Sequence, residues 1–157
     1  MRILVVYYSW QRHTEKVARA LAERIEGELQ EIEPVSESGM FGKAMRAALG
    51  MRAPIRPART DLSDLDFLVV ASPVWAQRVP PYINEYLSRL ENCSGKPFSV
   101  LVEMRGSGAD RAVAAVKKSL LKKGMRFVSQ TATLEEEVEK GTFGEKIEEF
   151  ARTIRAE

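Results

Sequence analysis

The chain alternates short apolar runs with segments of helical periodicity along its 157 residues. Apolar runs of about five or six residues are typical of strands, and apolar side chains that recur every three or four residues are typical of helices packed on one face. Strands that alternate with helices predict an α/β fold with a parallel sheet. The length suits a single domain over residues 1–157, and 45% of the residues are hydrophobic, which is enough to form its core.

Five strands are expected from these runs. Three of them are almost continuously apolar, as are strands that helices cover on both faces, and we expect these in the centre of the sheet: Ile3–Tyr8, Phe67–Ala71 and Phe98–Val102. Leu29–Glu33 and Arg126–Leu134 mix apolar with polar side chains, which is typical of partly exposed strands. They are therefore predicted at the two edges.

Helices are predicted between the strands. An apolar stripe from Val17 to Ile25 lies opposite charged residues and indicates a helix that packs on the sheet. Further helices are expected from about Pro80, where two prolines suit a first helical turn, over the stripe from Ala112 to Leu120, and around Phe143 to Ile154. The segment from Phe41 to Leu49 is also predicted to be helical.

The loops after the first, third and fourth strands have residues that suit a planar, phosphorylated ligand. In a parallel sheet of order 2-1-3-4-5 these loops meet at one edge, where ligands bind. The first loop places hydroxyls and positive charge at a helix N-terminus, which favours phosphate, although a simple cap at Thr14 is an alternative. The second sets a tryptophan beside hydrogen-bonding groups, and glycines in the third let the backbone approach a ligand closely. The candidate residues are Ser9, Trp10, Gln11, Arg12, His13 and Thr14 in the first loop, Pro73, Val74, Trp75, Ala76, Gln77 and Arg78 in the second, and Met104, Arg105, Gly106, Ser107 and Gly108 in the third.

Three segments resemble the flavodoxin-like family of FMN-binding proteins: YYSWQRHTEKVA, DLSDLDFLVVASPVWAQRVPPYINEYL and GKPFSVLVEMRGSGA. The resemblance implies a flavodoxin-like three-layer sandwich, with a five-stranded parallel sheet in the order 2-1-3-4-5, helices on both faces and FMN as the cofactor. It implies that Ser9 and Thr14 supply hydroxyls to the phosphate, that Trp75 stands at one wall of the flavin ring, and that the third loop forms the other wall. Gln11 and Arg12 depart from the family's phosphate loop, S/T-x-T-G-x-T, where threonine and glycine are usual.

Related folds with other chemistry lack their essential residues here. A receiver domain needs an aspartate after the third strand, a Rossmann domain needs G-x-G-x-x-G after the first strand, and a small phosphatase needs a cysteine in the first loop; the sequence has none of these. Two functions remain. One is an FMN oxidoreductase, either an electron carrier or a reductase, whose partner is a redox protein, a quinone or NAD(P)H, and in which FMN carries the redox chemistry. The other is a flavin-free binding or scaffold module.

Composition and charge indicate which kinds of partner, metal site and cellular location to expect. The 24 basic and 22 acidic residues nearly cancel and are interspersed, which argues against nucleic acid. A lone His13 and a lone Cys93 offer no ligand set for a structural metal, and Cys93 has no assigned role. No apolar run reaches the roughly 20 residues of a membrane span, and the chain enters a strand at once rather than a signal peptide, so a cytoplasmic protein is expected. The oligomeric state stays open, a homodimer included.

Overall fold

The structure is a computed structural model that describes residues 1–36, 42, 45 and 49–157. Its five strands are β1 (Ile3–Tyr7), β2 (Glu28–Glu31), β3 (Phe67–Pro73), β4 (Pro97–Met104) and β5 (Arg126–Leu134). They form one sheet in the order β2-β1-β3-β4-β5, and all four neighbouring pairs are parallel. The predicted topology is confirmed, with the two mixed-composition strands at the edges.

Helices cover both faces of this sheet. They are α1 (His13–Ile25), α2 (Pro81–Arg89), α3 (Ala109–Lys122), α4 (Glu135–Lys140) and α5 (Gly144–Arg155). Helices α1, α4 and α5 pack on one face, and α2 and α3 pack on the other. The helix predicted from Phe41 to Leu49 lies largely outside the described residues. Within the described ranges, no helix has the length and apolar character to cross a membrane.

The central strands are buried because their alternating side chains enter two different cores. In β1, Leu4 and Val6 pack in the core under α2 and α3, whereas Ile3 and Val5 pack in the core under α1 and α5, and none of the four is more than 2% exposed. Burial of an aliphatic side chain of this size contributes roughly 1.5–3 kcal/mol. Since the strands are parallel and fixed in this way, their carboxyl ends and the loops that follow meet at one edge.

Two central strands run farther than their apolar sequences predict. β3 continues to Pro73 and β4 to Met104, because the polar residues at their ends still pair across the ladder, Ser72 with Val102 and Pro73 with Glu103. The Ser72 hydroxyl donates to the Pro73 carbonyl oxygen at 2.8 Å, so its burial leaves it satisfied. Polar residues therefore interrupt the hydrophobic pattern without ending the strands. As a result, polar side chains lie at the carboxyl edge of the sheet.

Candidate functional site

A cavity of about 330 Å³ opens at the carboxyl edge of the sheet, between the loops that follow β1, β3 and β4. This volume lies within the range of small-molecule sites, roughly 300–1,000 Å³. Eleven of the predicted residues line it and come from all three loops: Ser9, Trp10, Gln11, His13, Thr14, Pro73, Val74, Trp75, Ala76, Met104 and Arg105. The fold thus brings the three loops around a single opening, which we call the edge cavity.

The first loop enters α1 through a left-handed residue. Arg12 precedes the helix with a φ of 66°, in the backbone region that favours glycine. Arginine therefore occupies a left-handed backbone position here, at the place where the family pattern has glycine. The alternative that Thr14 only caps the helix is wrong, because Thr14 is the second residue of α1 and is buried against the edge cavity. The Arg12 side chain is exposed and does not line that cavity.

The start of α1 leaves backbone N–H groups available to an anion. The Glu15 amide donates to Ser9 Oγ at 3.2 Å and the Lys16 amide to the Arg12 carbonyl at 3.0 Å. Within the part of the chain that the structure describes, the amides of His13 and Thr14 donate no hydrogen bond. Unpartnered amides at a helix N-terminus carry partial positive charge and bind phosphates. Ser9 accepts through its oxygen, so its own proton remains available to a ligand.

The second loop is a tight two-residue turn. The Trp75 amide donates to the Arg78 carbonyl at 2.7 Å, and the Arg78 amide donates back to the Trp75 carbonyl at 2.9 Å. Between them, Ala76 and Gln77 have φ angles of 48° and 62°. Two consecutive positive φ angles are characteristic of type I′ turns, which favour Asn-Gly. Tertiary structure therefore holds an Ala-Gln pair in an unfavourable backbone conformation beside the edge cavity.

Trp75 belongs both to the edge cavity and to the core. Its ring meets the ring of Tyr8 edge-on, with centroids 5.5 Å apart and an interplanar angle of 86°, and it makes longer edge contacts with Trp10 at 6.4 Å and Tyr82 at 6.5 Å. Edge-to-face pairs of this kind stabilise by about 0.5–1.5 kcal/mol beyond burial. The indole is half-buried against the core under α2 and α3, so its orientation is fixed before any ligand binds.

The third loop packs closely on the second. Gly108 precedes α3 with a φ of 97°, and a Cβ at this position would lie 2.9 Å from Val74 Cγ1 and 3.0 Å from Gln77 Cα. The absence of a side chain therefore allows the two loops to touch. Six predicted residues do not line the edge cavity: Arg12, Gln77, Arg78, Gly106, Ser107 and Gly108. Of these, Gln77, Ser107 and Gly108 line a neighbouring cavity of about 560 Å³, and Gln77 and Arg78 line another of about 490 Å³.

Two carboxylates that the sequence reasoning missed also line the edge cavity, Glu103 and Glu135. Glu103 lies within β4 and is only 7% exposed. Burial, with the nearby charges of Glu135 and Glu139, raises the pKa of Glu103 to about 7. The signal in the sequence is a single acid inside an otherwise apolar strand segment, SVLVEM. Charged residues are almost never buried unless they are paired, so such an acid is a candidate functional residue.

His13 lies between two of these acids. Its Nδ1 is 3.9 Å from Glu135 Oε1 and its Nε2 is 3.6 Å from Glu139 Oε1. One ligand atom from each of the three residues lies within 4.8 Å of the others, a spacing that a metal ion could bridge. The prediction of no metal site considered histidine and cysteine alone, and stays a prediction. In the structure, the two imidazole nitrogens contact the carboxylates of Glu135 and Glu139.

Solved structures share the architecture. A protein described as a flavoprotein from Bacteroides uniformis superposes with a TM-score of 0.78 at 17% identity, over 96% of this chain and 97% of the other. A flavoprotein from Lactobacillus acidophilus, in complex with FMN, superposes with a TM-score of 0.73 at 20% identity, over 88% and 97%. Oxidised flavodoxin 2 from Bacillus cereus superposes with a TM-score of 0.68 at 22% identity, over 99% of both chains. The flavodoxin-like fold is thereby confirmed.

The sequence itself identifies the family. No curated protein sequence matches the chain. The family model of the NADPH-dependent FMN reductases matches residues 1–139. This match confirms the predicted relationship to FMN-binding flavodoxin-like oxidoreductases, and with it FMN as the cofactor of the family. The chain therefore belongs to the NADPH-dependent FMN reductase family.

Proposed function

We propose that the protein is an FMN oxidoreductase that takes reducing equivalents from NADPH and passes them to a small acceptor of the quinone type. The observation that carries the FMN site is the start of α1, where the unpartnered amides of His13 and Thr14 lie beside the Ser9 hydroxyl. These groups suit the phosphate of FMN, because they combine fixed donors with the positive end of a helix dipole.

The remaining walls of the edge cavity suit the rest of the cofactor. Trp75 and Val74 present apolar surface on one side, and Met104 presents it at the end of β4. The contact between Gly108 and Val74 keeps the second and third loops fixed, which favours a preformed site. FMN supplies the hydride and electron chemistry when it is bound, and the residues of this chain bind it, orient it and limit its access to water.

A second cavity supports NADPH as the electron donor. It has a volume of about 490 Å³, shares Ala76 with the edge cavity, and is lined by three cationic side chains, Arg78, Arg111 and Lys118, which we call the basic groove. Within the described residues, none of the three forms an ion pair. Arginine and lysine side chains that lie together favour a phosphorylated ligand. A nucleotide bound here would lie next to the edge cavity, as a direct electron donor must.

The FMN assignment is tested by titrating the purified protein with FMN and with riboflavin while following flavin fluorescence. We expect FMN to bind at least about tenfold more tightly, because only FMN carries the phosphate, and one or two charge-assisted hydrogen bonds contribute roughly 1.5–3 kcal/mol each. Equal affinities would contradict the role of the α1 amides. No binding of either flavin would refute the oxidoreductase and favour the flavin-free scaffold module.

The basic groove is tested by steady-state oxidation of NADPH. The double variant Arg111→Gln/Lys118→Gln should raise KM for NADPH about tenfold or more and leave the Kd for FMN unchanged, since the two side chains lie outside the edge cavity. Lys122→Gln is the matched control, because Lys122 is an exposed cation of the same helix and does not line the groove. Equal KM values in the double variant and the control would exclude this groove as the NADPH site.

A further inference from the structure

Glu103 occupies an unusual place in the cavity wall. It lies near the end of β4, between Pro73 of β3 and Thr133 of β5 in the sheet register, on the face covered by α1 and α4. Its side chain lines the edge cavity although only 7% of the residue's surface is exposed. A carboxyl group thus stands where ligand and core meet.

Within the described ranges of the chain, no group compensates a negative charge at this position. Among the described residues, none donates a hydrogen bond to the Glu103 carboxyl group or forms an ion pair with it. The basic side chains nearby face other acids: Arg105 Nε is 3.2 Å from Glu135 Oε2, and the His13 imidazole contacts Glu135 and Glu139. The adjacent Thr133 hydroxyl is also buried and has no hydrogen-bond partner within the described chain.

The charged groups around Glu103 therefore favour its neutral form. Glu103 faces two carboxylates of α4, Glu135 and Glu139. The basic side chains nearby are His13 of α1 and the exposed Arg105 of the third loop. His13 contacts both α4 carboxylates, and Arg105 contacts Glu135. Burial first, and the two α4 carboxylates second, raise the pKa of Glu103 to about 7. An unpaired carboxylate in such surroundings loses hydration without gaining a partner.

We propose that Glu103 takes up one proton from solvent when FMN fills the edge cavity, and that it then serves there as a neutral hydrogen-bond donor. The inference rests on the proposed FMN site. A ligand that fills the cavity displaces the water that still hydrates the carboxylate, and it brings the negative charge of its phosphate. Both effects favour the protonated acid. Because linkage is reciprocal, deprotonation of Glu103 must weaken FMN binding to the same extent.

The proton uptake is measured by calorimetry of FMN binding to the wild-type protein at about pH 7.5, in two buffers of different ionisation enthalpy. The difference between the two apparent enthalpies, divided by the difference between the ionisation enthalpies of the two buffers, gives the number of protons taken up. We expect a value between about one half and three quarters, because an acid with a pKa of about 7 is already about one quarter protonated at pH 7.5. Riboflavin titrated in parallel separates Glu103 from the ligand's phosphate, whose second pKa lies near 6. This measurement needs no variant, so it remains valid whatever the folding of a Glu103 substitution.

The variant Glu103→Gln tests whether Glu103 is the residue that takes up the proton. From about pH 7 to about pH 8.5 the wild-type Kd for FMN should rise, approaching tenfold per pH unit, whereas Glu103→Gln should show a nearly flat profile. Glu136→Gln is the matched control, since Glu136 is an exposed acid of α4, the helix that carries Glu135 and Glu139, and it pairs with Lys140. It should keep the wild-type slope. A slope contributed by a titratable group other than Glu103 would persist in all three proteins.

The outcomes separate this inference from the function on which it rests. Tight FMN binding by the wild-type protein without proton uptake, or a pH slope that survives in Glu103→Gln, would overturn the role of Glu103 and leave the FMN site intact. Failure of the wild-type protein to bind FMN at any pH would overturn both. Proton uptake that is present in the wild-type protein and in Glu136→Gln, and absent in Glu103→Gln, would establish Glu103 as the linked acid.

Discussion

Gly108 is the position where a single methyl group should most clearly separate the two loops around the edge cavity. In Gly108→Ala the new Cβ would meet Val74 Cγ1 at 2.9 Å and Gln77 Cα at 3.0 Å. The first contact involves a side-chain end, but the second involves the backbone of a turn that two hydrogen bonds hold. The substitution would also place alanine at a φ of 97°. Relief of the clash therefore requires the second and third loops to move apart.

Substitutions at two other glycines separate backbone strain from overpacking in the stability that Gly108→Ala is expected to lose. Gly141 has a φ of 70°, and a Cβ added there would have no neighbour within 4 Å, so Gly141→Ala measures backbone strain alone, which is about 1 kcal/mol. Gly106 has neither a positive φ nor a neighbour within 4 Å, and Gly106→Ala should change stability by less than about 0.5 kcal/mol or stabilise slightly. Gly108→Ala adds overpacking, roughly 1–3 kcal/mol, to the strain, for a total loss of about 2–4 kcal/mol.

Urea unfolding of the three apoprotein variants measures these differences, and fluorescence titration measures FMN affinity in the same samples. We expect FMN affinity to fall in Gly108→Ala and to stay at the wild-type value in Gly141→Ala, because Gly141 does not line the edge cavity and a Cβ added there would have no neighbour within 4 Å. A Gly108→Ala protein that is no less stable than Gly141→Ala would refute the close packing of the two loops. Unchanged FMN affinity in a destabilised Gly108→Ala would show that the loop contact does not shape the site.

Three further predictions concern strained or buried residues. The double variant Ala76→Asn/Gln77→Gly should raise the free energy of unfolding by about 1–2 kcal/mol in urea titrations, since it supplies the residues that a turn with two positive φ angles favours; an unchanged midpoint would contradict this. Arg12→Gly should stabilise the protein by about 0.5–1 kcal/mol, because glycine suits the positive φ angle at this position. It should change the Kd for FMN by less than about threefold, because the Arg12 side chain lies outside the edge cavity. A larger loss of affinity would mean that the guanidinium reaches the phosphate. The raised pKa of Glu103 means that the folded apoprotein holds a proton that the unfolded chain releases, so wild-type stability should fall as pH rises from about 4.5 to about 7 and then level off. Glu103→Gln should abolish this loss, which is on the order of 3 kcal/mol; equal pH profiles in urea unfolding would refute the shift.

The architecture could be predicted because the apolar patterns of strands and helices are physical requirements of a covered parallel sheet. Ile3–Tyr7 is buried on both faces and could hardly be anything other than a central strand. Helix α4 is not predictable in this way, because its six residues, EEEVEK, bury only Val138 and so carry no helical period. Its place in the fold is nevertheless important, since it brings Glu135 to the edge cavity and places the charges of both Glu135 and Glu139 near Glu103.

The loops of the site could be predicted, but not all of its residues. Parallel strands end at the same edge, so the three loops have to meet once the strand order is known. Loop composition misses Glu103, because this residue lies inside β4, at the end of an apolar run, and not in the loop that follows. Arg78 and Ser107 are predicted by loop membership alone, and the turn and the close approach at Gly108 direct them to neighbouring cavities. Loop membership therefore locates a site, whereas backbone geometry decides which side chains face it.

That backbone geometry is costly in this protein. Within the described residues, five non-glycine residues have positive φ angles, and three of them, Arg12, Ala76 and Gln77, belong to the loops around the edge cavity. Each costs of order 1 kcal/mol or more, and such a conformation persists only where its surroundings impose it. Here the surroundings are identifiable: the Lys16 amide holds the Arg12 carbonyl, and two mutual hydrogen bonds between Trp75 and Arg78 close the turn. No local sequence signal encodes an Ala-Gln turn of this kind, since its conformation follows from where β3 ends and where the aromatic ring of Trp75 packs. The strained loops are therefore a consequence of the completed fold, and their shape is fixed by the core before a ligand arrives.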